Sequence, residues 1–164
     1  IMKSKENLQK EWKTPEEARK RILYGMKQCD IMKISEEEVA FVSEQESLEK
    51  GVSFIRDNSD IKILFVTLGN KGSIAYYKDE KIYCGGIHQE HVVDTTGAGD
   101  TFCGAVLSRI LELGTDALTE KDIREMLLFA NAAASIVVTR KGALCSMPEP
   151  EEIRAASSLI DKVL

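Results

Sequence analysis

The chain has 164 residues, 43% of them hydrophobic, and a formal net charge of -5. That length supports one sizeable core, the acidic balance argues against non-specific nucleic-acid binding, and no apolar run approaches membrane-spanning length. Cys29, Cys84, Cys103 and Cys145 are scattered without a CxxC pair and only His88 and His91 lie near, so zinc is not expected and a reduced cytoplasmic setting with free thiols is the simplest reading.

Thr14-Pro15-Glu16-Glu17 combines an N-cap, a proline at the first helical position and a capping-box acid, which predicts a helix to about Gln28. Asp30–Ile34 follows as a short strand. Ser35-Glu-Glu-Glu38 opens a short helix through Val42, and Ser43-Glu-Gln-Glu46 opens another carrying Leu48, Val52 and Ile55. Ile61–Thr67 is nearly continuously apolar and β-branched, as a strand covered on both faces requires. Ser73–Tyr77 and Lys81–Cys84 flank Lys78-Asp-Glu as a hairpin. After Val92-Val93 and a glycine-containing turn, Cys103, Val106, Leu107, Ile110 and Leu111 recur at helical spacing to Leu113. Thr119 caps a second helix with Ile123, Leu127, Ala130, Ala134 and Val137 on one face, and Pro148-Glu-Pro-Glu opens a terminal one. Strands alternating with helices predict an α/β sandwich of three layers with a mainly parallel sheet.

The most informative stretch is Asp94-Thr-Thr-Gly-Ala-Gly-Asp100. Glycines let backbone N–H groups approach an anion, and the helix that starts there adds unpaired donors and a positive dipole end. Such a turn suits negative charge, in a bound phosphate or in a transfer step. A carboxylate inside it, Asp100, opposes simple phosphate binding but suits a group that accepts a proton from an attacking hydroxyl. The structural alternative is a helix N-terminus with glycines for packing and Asp100 as a favourable N-terminal charge.

This run resembles the C-terminal signature of the ribokinase-like (PfkB) sugar kinases. The resemblance implies that Asp100 is the catalytic base and that the amides of Gly97, Ala98, Gly99 and Asp100 form the anion hole. Thr67-Leu-Gly-Asn-Lys-Gly72 is similar to the family's T-x-G-x-x-G element, so Thr67, Gly69 and Gly72 would meet nucleotide phosphates and ribose. An ordinary strand-to-hairpin turn accounts for the same residues. Ser35-x-x-Glu38 is a sound capping box and also aligns with the family's Asn-x-x-Glu element, in which the glutamate orients hydrated Mg²⁺; Ser35 departs from that pattern. Asn131 lies on a helix that borders adenine in the family. Asp94 and Thr96, with Val137, Arg140, Gly142 and Ser146 at the matching spacing, would supply a monovalent cation site, and oxygen ligands of this kind suit potassium.

The resemblance therefore implies ATP-dependent phosphorylation of a primary hydroxyl on a small sugar, with ATP, Mg²⁺ and K⁺ as ligands. Sequence around Asp94–Asp100 and Lys33-Ile-Ser-Glu resembles fructokinases, although ribose, 2-keto-3-deoxygluconate and nucleosides remain open as substrates. It covers nearly all of this chain but only the second half of the family's architecture, so the expected object is a ribokinase-like domain truncated at its N-terminal side and inactive alone. Two other classes stay open: a non-catalytic nucleotide- or anion-binding module, and a structural assembly domain. An uncovered strand edge at Ile31–Ile34 would self-associate into a homo-oligomer, or be shielded by an N-terminal segment containing Trp12.

Overall fold

The structure is a computed structural model that describes residues 14–142 and 144–160; Trp12 lies outside them. The chain divides into two compact units, Ile1–Val66 and Thr67–Leu164.

The first unit begins at α1 (Pro15–Met26), where the Glu17 N–H donates to the Thr14 hydroxyl at 3.1 Å and Pro15 occupies the first turn. β1 (Ile31–Ser35), α2 (Glu36–Ser43), α3 (Leu48–Asp57) and β2 (Ile63–Thr67) follow. β1 lies beside β2, and the helices between them give the long connection that parallel neighbours need. Ile63, Leu64, Phe65 and Val66 are all buried, as the unbroken apolar run requires. α2 packs on α1, α3 and β1. Arg19 fastens α1 to the end of α2: its Nε donates to the Val42 carbonyl at 2.7 Å and its Nη2 lies 3.2 Å from Glu44.

One boundary differs from the sequence expectation. Ser43 does not cap α3; it is the last residue of α2, and its hydroxyl donates to the Val39 carbonyl at 2.7 Å. Glu44 then turns the chain with φ 57 and ψ 27, and Ser47 caps α3 by accepting from the Lys50 N–H at 3.3 Å.

The second unit contains β3 (Gly72–Tyr77), β4 (Glu80–Gly85), α4 (Ala98–Leu113), α5 (Glu120–Val137) and α6 (Pro150–Ile160). β3 and β4 pair antiparallel, with Gly72 opposite Gly85 and Tyr77 opposite Glu80. The strands and helices thus give the expected α/β class, with a mixed sheet because this hairpin is antiparallel. α5 is the centre of the unit and packs against α4, α6, β3 and β4. Ile123, Met126, Leu127, Ala130, Ala132, Ala133 and Val137 are buried along it, and the alanines let its neighbours approach closely. Thr119 caps it in a reciprocal box with Asp122.

α4 buries a different stripe from the one its apolar spacing predicts. Phe102, Ala105, Val106 and Ile110 are inside, whereas Leu107 is 39% and Leu111 87% exposed. Thr101 and Phe102 take the inward positions, which turns the helix and carries Leu107 and Leu111 outward. Val92 and Val93 are exposed and belong to no strand.

Candidate active site

The Asp94–Asp100 turn is built by its own hydrogen bonds and by the end of α5. The N–H groups of Val93 and Asp94 both donate to the Val138 carbonyl, at 2.8 and 3.2 Å. Asp94 then folds the chain behind it: one carboxylate oxygen accepts from the Thr96 N–H at 2.9 Å and the other from the Gly142 N–H at 3.3 Å. These bonds hold the Asp94 carboxyl below the usual carboxylate range, the Thr96 amide contributing most. Gly142, distant in sequence, is thereby brought to Asp94 and Thr96.

Gly97 is the N-cap of α4 and sits at φ 85, ψ -7, a left-handed conformation that costs glycine nothing. Its carbonyl accepts from the Thr101 N–H at 2.8 Å. No side chain caps this helix, and the first N–H groups of any helix lack intrahelical acceptors. The Ala98 N–H donates to the Thr95 carbonyl at 3.3 Å, whereas the amides of Gly99 and Asp100 lie at a positive helix end with no side-chain oxygen in front of them. Asp100, the third residue of α4, is exposed and accepts no side-chain hydrogen bond or ion pair among the described residues. A free carboxylate beside an uncapped helix end can accept a proton next to a place where negative charge is stabilised.

Thr67, Gly69 and Gly72 line the second glycine turn. Gly69–Lys71 is a single 3₁₀ turn, closed by the Leu68 N–H donating to the Gly72 carbonyl at 2.8 Å. The Lys71 carbonyl accepts from the Gly86 N–H at 3.1 Å and from the Tyr83 hydroxyl at 2.7 Å, so the end of β4 braces the turn. Asn131 is buried on α5. Its Nδ2 donates to the carbonyls of Cys84 and Gly85, at 3.2 and 3.1 Å, and its Oδ1 accepts from the Ser73 hydroxyl at 2.9 Å. Sequence reasoning placed Asn131 near a ligand but gave no sign of this buried network, because its partners lie 46 or more residues away. Burial also pushes the neighbouring Cys84 thiol up, against the Asn131 hydrogen bond and the Arg124 charge.

Of the expected cation loop, Gly142 is bonded to Asp94, and Val137, Arg140, Gly142 and Ser146 are linked to one another. The Val137 carbonyl accepts from the Arg140 N–H at 3.0 Å, the Gly142 carbonyl accepts from the Ser146 hydroxyl, and the Ser146 carbonyl lies 3.4 Å from Arg140 Nη1. Each carbonyl keeps a second lone pair, an oxygen donor of the type that hard monovalent cations take. Arg140 is a fixed charge that such an ion would meet, and its ion pair with Glu152 at 2.5 Å offsets it.

Glu38, in the first unit, forms the expected capping box: one carboxylate oxygen accepts from the Ser35 N–H at 2.8 Å, and the Ser35 hydroxyl accepts from the Glu38 N–H at 3.2 Å. The second oxygen has no hydrogen-bond partner among the described residues. No group of three or more His, Cys, Asp or Glu side chains gathers to chelate a metal among them. A lone carboxylate fits Mg²⁺ held through its water shell, which this ion gives up reluctantly.

Comparison with known proteins places the chain in a family. Residues 2–150 match the model of the pfkB family carbohydrate kinases. Fructokinase-1 of Oryza sativa subsp. japonica is 40% identical over 144 residues, covering 87% of this chain and 44% of the relative. Among solved structures, Vibrio cholerae fructokinase with fructose, ADP and calcium ion bound superposes with a TM-score of 0.78 at 30% identity, over 88% of this chain and 46% of that one. Arabidopsis thaliana ribokinase complexed with ribose and ATP gives 0.68 at 33% identity, over 80% and 43%. The chain thus spans less than half the length of each of these relatives. On the family match and these identities, the chain belongs to the pfkB family of carbohydrate kinases.

Proposed function

We propose that this chain supplies the nucleotide-binding and proton-accepting half of an ATP-dependent sugar kinase, with fructose as the preferred acceptor. The observation that carries the reading is the free Asp100 carboxylate at the uncapped start of α4. Asp100 takes the proton from a primary hydroxyl as that oxygen attacks the γ-phosphorus; the bond from phosphorus to the bridging oxygen breaks and ADP leaves. Amides of Gly97, Ala98 and Gly99 stabilise the charge on the transferring group. Thr67, Gly69 and Gly72 receive the nucleotide phosphates and ribose, and Asn131 belongs to the same nucleotide side. Mg²⁺, when bound, neutralises phosphate charge; Glu38 would hold it through water. K⁺ would sit among the oxygens of Asp94, Thr96, Val137, Arg140, Gly142 and Ser146.

Fructose is supported by the fructokinase relatives and by the fructose bound to the Vibrio cholerae neighbour. Two measurements test the reading. The chain itself should bind MgATP in a calorimetric titration. Completed with the unmatched part of the rice relative, it should release ADP with fructose faster than with ribose. ADP release with no sugar at all from the completed protein would overturn the kinase assignment, and absence of MgATP binding would overturn the nucleotide assignment.

A further inference from the structure

Asn131 sits inside α5 and Val138 closes its carboxyl end, seven residues on. Each grips a different loop, Asn131 through its side chain and Val138 through its backbone carbonyl. Val138, at the carboxyl end, accepts the amides of Val93 and Asp94 and thereby sets the start of the Asp94–Asp100 turn. Asn131 takes hold of both strands of the hairpin: its amide donates to the last carbonyls of β4 and accepts from the first side chain of β3. The Gly69–Lys71 turn meets the hairpin end that Asn131 holds. Its outer carbonyl, on Lys71, is bonded by Gly86, the residue after the Gly85 carbonyl that Asn131 fixes.

We propose that Asn131 is the positioning residue of the glycine turn at Gly69–Gly72, so that α5 sets this turn as well as the Asp94–Asp100 turn. The nucleotide consequence rests on the function proposed above; the mechanical one does not. Asn131 is 7% exposed, and its three polar contacts employ both amide hydrogens and the oxygen. The amide nitrogen is thus committed to the hairpin, and one lone pair of the oxygen is left over. Asparagine suits the task because the hairpin end offers two carbonyls and one hydroxyl, and one planar amide can give two donors and accept one bond. The Ser73 hydroxyl, by donating to the oxygen, fixes which end of the amide faces the carbonyls.

The test compares the 164-residue chain with Asn131→Ala, Ser73→Ala and Ile123→Val. The last is a core substitution on α5 that lowers stability without touching the hairpin. MgATP affinity is measured by calorimetry, amide exchange at Leu68 and Gly86 by NMR, and stability by thermal melting. Asn131→Ala should weaken MgATP by about tenfold, the scale of one or two buried hydrogen bonds, and speed exchange at Leu68 and Gly86 more than at core amides of α5. Ser73→Ala should do the same to a smaller degree, about twofold to threefold, and decides the matter should Asn131→Ala fail to fold. Ile123→Val should lower the melting temperature and leave affinity unchanged. Exchange at Leu68 and Gly86 that stays at the wild-type rate in Asn131→Ala, or in Ser73→Ala where only that variant folds, would overturn the proposal. A wild-type chain that binds no MgATP would instead sink the proposed function, while the exchange arm still judged the positioning role.

Discussion

Replacing Gly72 by alanine should be far more damaging than replacing Gly69, although both lie in the same turn at positive φ. Gly72 sits at φ 108, ψ -139, a region that residues with a Cβ rarely enter, at a cost of roughly 1–3 kcal/mol. A Cβ there would also lie 2.2 Å from the Cys84 carbonyl oxygen and 2.5 Å from the Gly86 nitrogen. Both are backbone atoms and neither can swing aside, so the end of β4 must shift, an overpacking cost of roughly 1–3 kcal/mol. Together these give about 4 kcal/mol for Gly72→Ala. Gly69 has φ 60 with no atom within 4 Å of a built Cβ, leaving only the left-handed penalty of about 1 kcal/mol. The unfolded-chain entropy gain of alanine favours both variants equally. At about 2–4 °C per kcal/mol for a chain this long, far-UV circular dichroism melts should fall by about 8–16 °C for Gly72→Ala and about 2–4 °C for Gly69→Ala. Equal shifts would refute the argument that the close approach of β4, added to the φ angle, reserves position 72 for glycine.

Two further outcomes follow from the titrating groups. The Asp94 carboxyl is held below its ordinary range by the Thr96 and Gly142 amides, so its contribution is complete above the unfolded value of about 3.9 and is lost as pH falls through the lower folded value. The Thr96 and Gly142 amide resonances should therefore stay constant from neutral pH to about pH 5 and move only below about pH 4; movement near neutrality would contradict the bonding. Cys29 and Cys145 are exposed while Cys84 is buried with its thiol pushed up by burial. Alkylation followed by mass spectrometry should label Cys29 and Cys145 first and Cys84 last, and simultaneous labelling of Cys84 would contradict the hairpin packing.

Helix starts were legible at Thr14, Ser35 and Thr119, where a hydroxyl residue precedes an acid by three positions. Ser43 carried the same signal with Glu46 and misled, because Val39 and Val42 already committed the chain to α2 and the Ser43 hydroxyl bonds back to Val39. The true cap, Ser47, has Lys50 where the box pattern wants an acid. On α4 the apolar spacing could not reveal that Leu111 faces out, since small residues at Thr101 and Ala105 share the buried face with larger ones. The Asp94–Asp100 turn was readable because its glycines and carboxylates are local. The Asn131 network was not, because it joins a helix to two strands far away in sequence, and no local pattern encodes such a meeting.

The central claim is that Asp100 accepts the proton of the attacking hydroxyl. It is tested most directly by steady-state kinetics of Asp100→Asn in the completed enzyme, with ADP release followed against fructose and ATP in turn. The account predicts a fall in kcat of roughly two to four orders of magnitude with little change in the KM for ATP; an Asp100→Asn enzyme that keeps most of its turnover would contradict it.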